Sequence, residues 1–321
     1  MRVRAEDFQV EEILGYAADG DGEHVLLEVE KRGHETTWVA RELARFAEVP
    51  VVGIGFAGLK DRHALTRQAF SVQLAGRREP DWAAFPHQDV RILSATRHRR
   101  KLKRGALAGN RFTLILRDIE GDREAAERVL SCIRTRGVPN YFGEQRFGRG
   151  GANVERARGM FAGRRVDRHT RSMLLSAARS HLFNALLAGR VQDGCWDTPL
   201  DGEIWALAGS RSWFGPEPFD DALAQRLARG DIHPSGPLWG RGEPPAQGSA
   251  GARERSVAAT ETELVAGLVA AGMDQERRAL RLLPQALEGS WVEQGGALQL
   301  RFALPAGSYA TVVVRELARV V

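Results

Sequence analysis

Only two of the 321 residues are cysteine, Cys132 and Cys195. That is too few for a disulfide framework or a cysteine-based zinc set, and it fits a reducing, cytoplasmic compartment. No stretch approaches the roughly 18 apolar residues needed to cross a bilayer. Met1 to Glu12 mixes charges, with no apolar run and no small-residue cleavage site, so no signal peptide is expected. The eight histidines are scattered and none stands in an HExxH-type spacing, so no metal is expected. From Arg91 to Arg117 acidic residues are missing altogether, while nine Lys and Arg stand there.

What is present describes an ordinary soluble chain. It is 43% hydrophobic and 27% charged, with a mean hydropathy of −0.32. Its length suggests two domains and suffices for a large core. The formal charge is only +5, yet the positive charge is concentrated. Arg97 to Arg104 holds six Lys and Arg in eight residues, and Gln145 to Arg171 holds eight Arg against Glu155 and Asp167. Such clusters on a nearly neutral body are the footprint of a phosphate backbone, although a charge run taken alone also describes a solvated face.

Periodicity assigns the elements. Residues 8–14 and 24–30 read as strands flanking the Asp19-Gly20-Asp21-Gly22 turn, which suggests a hairpin. Thr36 or Thr37 is placed to cap a helix to about Glu48, with Val39, Leu43 and Phe46 on one face. Short strands are expected at 50–54, 70–74 and 90–95, and a clear one at 111–119. Asp122 then caps a helix to about Thr135, and Ser172 to Arg190 reads as another. Gly230 to Arg255, with six glycines and four prolines, reads as a long surface loop. Helices at about 257–271 and 274–283, a strand at 297–303 and a final helix at 309–319 complete the chain. Strands and helices mix without strict βαβ alternation, which favours α+β.

Two loop features carry chemistry. Gly53-Ile54-Gly55-Phe56-Ala57-Gly58 matches GxGxxG, the phosphate-cradling pattern of dinucleotide-binding folds and hence of a nucleotide-dependent oxidoreductase. The strand before it is short, however, and the residues after it lack a helical apolar face, so a flexible turn is the plainer reading. Asp61 stands between Lys60 and Arg62. Cations close by favour an ionised carboxylate, as a nucleophile or base requires, but a salt-bridged surface turn has the same sequence.

Ala57 to Ala64 (AGLKDRHA) resembles the active-site motif of the TruD family of tRNA pseudouridine synthases, and Gly137 to Gly148 (GVPNYFGEQRFG) resembles a second motif of that family. Residues 105–112 (GALAGNRF), 176–180 (SAARS) and 304–311 (LPAGSYAT) add three more in the same order, so the resemblance covers nearly the whole chain. It implies an α+β pseudouridine-synthase catalytic domain on a bent, mostly antiparallel mixed sheet, with an inserted α/β family-specific domain. The boundaries would be 1–135 and 284–321 for the catalytic domain and 136–283 for the insertion. It implies isomerisation of uridine 13 in tRNA without a cofactor, with tRNA as partner, no membrane, and a monomer.

By the same resemblance Asp61 is the catalytic aspartate, and Phe8, Asn110, Phe112 and Tyr309 surround the target nucleotide; Lys60, by its charge, is expected at the substrate, to hold a phosphate or to set the aspartate's charge state. Arg99, Arg100, Lys101, Lys103, Arg104 and Arg146 are the expected RNA contacts. Position 309 departs from the family's usual Phe, and a phenol there adds a hydroxyl that must find a partner. Phe8 and Phe112 lie in strand patterns, where phenylalanine ordinarily serves as core. A catalysis-free RNA-binding module is the competing reading.

Overall fold

The computed structural model describes residues 4–292 and 296–318. In chain order the elements begin with β1 (Phe8–Ile13), β2 (His24–Lys31), α1 (Thr36–Phe46), β3 (Ile54–Phe56), β4 (Leu65–Gln73), β5 (Val90–His98), β6 (Gly109–Arg117) and α2 (Arg123–Arg136). There follow β7 (Val138–Pro139), α3 (Ala152–Phe161), α4 (Arg168–Gln192), β8 (Trp205–Leu207), β9 (Trp213–Phe214), α5 (Asp221–Arg229) and β10 (Ile232–Leu238). The last are α6 (Gly248–Thr260), α7 (Thr262–Ala270), β11 (Glu276–Ala279), β12 (Arg281–Leu282), β13 (Gln285–Val292), β14 (Ala297–Pro305) and α8 (Ala310–Leu317). The described residues form two compact units, 4–130 with 284–292 and 296–307, and 131–283 with 308–318. The last helix, grouped by the sequence with the catalytic domain, thus falls in the second unit; Arg319, at its expected end, lies outside the described residues.

The first unit is built on an eight-stranded sheet in the order β13-β14-β6-β1-β4-β2-β5, with β3 also on β4. It is α+β and mixed: β1 and β4 are parallel, and the other pairs are antiparallel. The expected hairpin of β1 and β2 does not form, because β4 lies between them. The ten-residue connection is too long to impose tight-turn pairing, and both strands find fuller partners elsewhere. Inward positions alternate as they should, with Val25, Leu27, Val29 and Phe70 buried against Val39 and Leu43 of α1. Gly55 lies in β3 and no helix follows it, which removes the dinucleotide-binding reading. A Cβ there would run into the Leu102 carbonyl and the Ser71 hydroxyl, so this glycine permits close backbone approach.

In the second unit the sheet order is β11-β10-β8-β9, with β7 and β12 paired separately. The 25-residue α4 is capped by Asp167, whose side chain accepts the Thr170 N–H, and it buries Leu174, Ala178, Leu182 and Leu186. Two sequence expectations fail here. The Gly/Pro-rich stretch is no surface loop: it contains the buried β10 and the start of α6. Gly236 of β10 sits so close to α4 that a Cβ would lie 2.9 Å from Leu186, so glycine here reports tight packing. Residues 274–283, expected as helix, form β11 and β12. Arg277 of β11 is buried, and its guanidinium meets Glu254 of α6 at 2.5 Å while also bonding Ser235 of β10. Glu254→Gln is therefore expected to cost roughly 3–5 kcal/mol, since it strands a buried cation. Urea unfolding of the full chain measures this loss.

Candidate active site

The period of two in a strand decides which side chains of the first unit meet. On β1, Phe8, Val10 and Glu12 share a face. Their neighbours on β6 are Leu114, Phe112 and Asn110 in that order. Val10 also stands opposite Thr66 of β4, and Thr66 stands opposite Lys31 of β2. One row thus crosses the sheet from Lys31 through Thr66, Val10 and Phe112 to Phe302 of β14. Phe8 and Phe112 meet edge to face at 6.3 Å, and Phe112 stacks on Phe302 at 5.5 Å. Both expected site rings are therefore largely buried and form an apolar floor.

The loop carrying Asp61 joins β3 to β4 and is pinned to this face. Lys60 donates its main-chain N–H to Thr36 Oγ1 at 3.0 Å, and Thr36 donates its hydroxyl to Gln68 Oε1 at 2.9 Å. Gln68 Nε2 donates to the Gly58 carbonyl at 3.3 Å. Thr36, expected as a helix cap, makes no cap bond; its hydroxyl serves the loop. The Lys60 ammonium lies 2.6 Å from Glu12, with the two side chains 7% and 1% exposed. Glu12 Oε2 also accepts the Ala69 N–H. Lys60, expected at the substrate, thus braces the loop. Asp61 is half-buried, and its Oδ1 accepts the His63 N–H at 2.9 Å, an Asx turn that fixes the carboxylate's direction.

Beneath the loop, Lys31 is wholly buried. It donates to the carbonyls of His34 at 2.8 Å and of Asp61 at 3.3 Å. Burial lowers its pKa to about 8, although the charge of Asp61 opposes the shift. Across the same face, Asn110 Oδ1 and Thr66 Oγ1 are buried with no hydrogen-bond partner among the described residues. A buried orphan acceptor is costly unless something fills it.

Tyr309 and Arg146 belong to the second unit. The Tyr309 hydroxyl accepts from Arg146 Nε at 3.2 Å, which supplies the partner that the added phenol requires. Arg146 also donates to Ser176 Oγ at 3.0 Å. The Tyr309 ring meets Phe142 edge-on at 6.3 Å, and a Cβ on Gly143 would come within 2.8 Å of it. Arg278 lies over Phe142 at 4.1 Å and donates to Asn140 Oδ1 at 2.6 Å. Burial pulls its pKa down to about 10, with Tyr309 opposing and Arg146 reinforcing the shift.

The basic run 97–104 is less free than its composition suggests. Arg99 grips Asp21 at 2.8 Å, Lys101 donates to the Val52 carbonyl, and Arg104 lies over the Phe56 ring at 3.6 Å. Arg100 and Lys103 are exposed. Sequence reasoning missed Glu12, Lys31, Thr36 and Gln68. A signal for Lys31 existed: in HVLLEVEK it follows Val25, Leu27 and Val29 at the inward positions.

A family model for tRNA pseudouridine synthase D (TruD) matches residues 1–155 and 155–317. The chain belongs to the TruD family. The TruD protein of Xanthomonas campestris pv. campestris is 53% identical, over 100% of this chain and 91% of its own. That of Methylococcus capsulatus is 50% identical, over 99% and 90%. Both carry the name tRNA pseudouridine synthase D. A crystal structure of a TruD-type protein from Methanosarcina mazei matches with a TM-score of 0.77, over 100% of this chain and 93% of its own. At 22% identity that likeness is one of fold. Among the described residues no helix is long and apolar enough to cross a membrane.

Two predictions arise for this TruD protein, one in each unit. The Lys31 pKa of about 8 lies below the ordinary 10.5, so between those values the unfolded chain holds the extra proton. Stability relative to Lys31→Met is expected to be flat below pH 8, to rise from there to about pH 10.5, and then to level, as read from urea midpoints. In the second unit, Tyr309→Phe is expected to lose about 1 kcal/mol with the Arg146 bond. Gly143→Ala is expected to lose more by displacing the ring, as calorimetry of both variants measures.

Proposed function

We propose that the protein isomerises uridine 13 of tRNA to pseudouridine, with Asp61 as its catalytic carboxylate. The observation that carries this reading is the pinned loop, which holds Asp61 on the sheet face where Asn110 presents an unfilled acceptor. The reaction exchanges the C1′–N1 bond of uridine for C1′–C5; C5 loses a proton and N1 gains one. No electrons leave the nucleotide. An ionised carboxylate serves each available route: attack on the anomeric carbon as in a retaining glycosidase, addition to the uracil ring, or removal of the 2′ proton.

The base must leave the tRNA stack before any of these. Asn110 Oδ1 is suited to accept the N3–H of uracil. Phe8 and Phe112 supply an apolar floor in the first unit; Tyr309, steadied by Arg146 within the second, offers a ring on which an RNA base can stack, worth about 1–3 kcal/mol. Lys60 acts through the loop it braces. Arg100 and Lys103, with Arg99, Lys101 and Arg104, provide cationic surface for the tRNA backbone. Asp61→Asn is expected to abolish pseudouridine at position 13, read by pseudouridine-specific mapping, while tRNA binding survives. Full activity in that variant overturns the proposal.

A further inference from the structure

The face that holds the Asp61 loop contains two ammonium groups, and they differ in what they do. Lys60 is matched by Glu12 at 2.6 Å, so its charge is balanced within the brace. Lys31, wholly buried at the end of β2, has carbonyl oxygens at Nζ, one of them from Asp61 itself. A buried lysine held on carbonyls is an expensive choice for structure alone, because a neutral donor fills the same bonds without the charge. The charge has a use if it serves the neighbouring carboxylate.

Resting on the function proposed above, we infer that Lys31 is a positioning residue for the reaction: its ammonium fixes Asp61 by the main chain and keeps a compensating positive charge beneath the carboxylate. The groups around it agree. From the loop, Asp61 favours the charged form and Lys60 disfavours it. Thr66 of β4 and Val90 of β5 stand opposite it in register, and neither is ionisable. From the β2–α1 connection it receives the His34 carbonyl, while the His34 ring stacks on Trp38 at 3.9 Å. When Lys31 loses its proton the ammonium charge disappears, while two N–H donors remain for the two carbonyls. The attraction between Lys31 and the Asp61 carboxylate is lost, with the loop otherwise intact.

The test uses the full chain and tRNA under single-turnover conditions. Lys31→Met is expected to lower the rate constant about ten- to a hundred-fold with KM for tRNA unchanged, as for loss of a charged hydrogen bond. The wild type is expected to lose activity as pH rises through about 8, and Lys31→Met to lack that limb while keeping any limb from ionisation of the uracil. Lys31→Arg, cationic throughout this range, is expected to recover part of the rate and to lack the limb as well. Wild-type rates in Lys31→Met, or a limb near pH 8 that persists in it, overturn the inference. If that variant fails to fold, a wild-type profile flat from pH 7 to 9 overturns it. Asp61→Asn, run beside these, separates the cases: if it is inactive while Lys31→Met is fully active, only this inference fails.

Discussion

The Glu12–Lys60 ion pair is the contact on which the site depends. It ties the loop to the sheet by joining residues 48 positions apart, at 2.6 Å and almost out of water. Such a pair gains little net stability, because desolvation of both ions offsets their attraction. Its value is geometric, since the bond is satisfied in one arrangement only. Glu12 spends its second oxygen on Ala69 of β4, so a single carboxylate fastens the loop to two strands. The Thr36–Gln68 bonds hold the loop backbone at Gly58 and Lys60, and Lys31 holds it at Asp61. The catalytic role proposed for Asp61 needs this kind of fixed support more than it needs many contacts.

Asp61, Asn110 and Phe112 were singled out in sequence by the family resemblance of the short motifs that hold them, since by local chemistry alone Asp61 also fits a salt-bridged turn and Phe112 a core strand. The clear alternation of residues 111–117 and the helical spacing of α4 were legible because their periods are local. Glu12 was hidden because its meaning comes from Lys60, far along the chain. β10 was misread because Pro234, Gly236 and Pro237 carry the composition of a loop, while tertiary packing against α4 made them a strand. β11 was misread because a buried arginine looks like a solvated one until Glu254 arrives from another helix. The β1–β2 hairpin failed for a topological reason that no local pattern encodes: another strand takes the place between them.

The arginine-rich segments show a related ambiguity. Composition counts charges, but Arg99 and Arg104 are partly committed to Asp21 and Phe56. A guanidinium in such a contact keeps its charge and donors for a phosphate while its direction is limited in advance, which reduces the entropy lost on binding. Arg146 illustrates the same economy in the second unit, where one guanidinium steadies both Ser176 and the phenol of Tyr309.

The sheet of the first unit takes strands from both ends of the sequence, with β6 lying between β1 and β14. During synthesis on the ribosome β6 emerges early, whereas β14 follows only after residues 131–283 of the second unit. Throughout that interval one side of β6 has its backbone donors and acceptors open, a template for pairing with a foreign strand. The nascent chain therefore carries this exposure to misassembly from the release of β6 until the arrival of residues 297–305. Prematurely terminated products keep that exposed seam permanently.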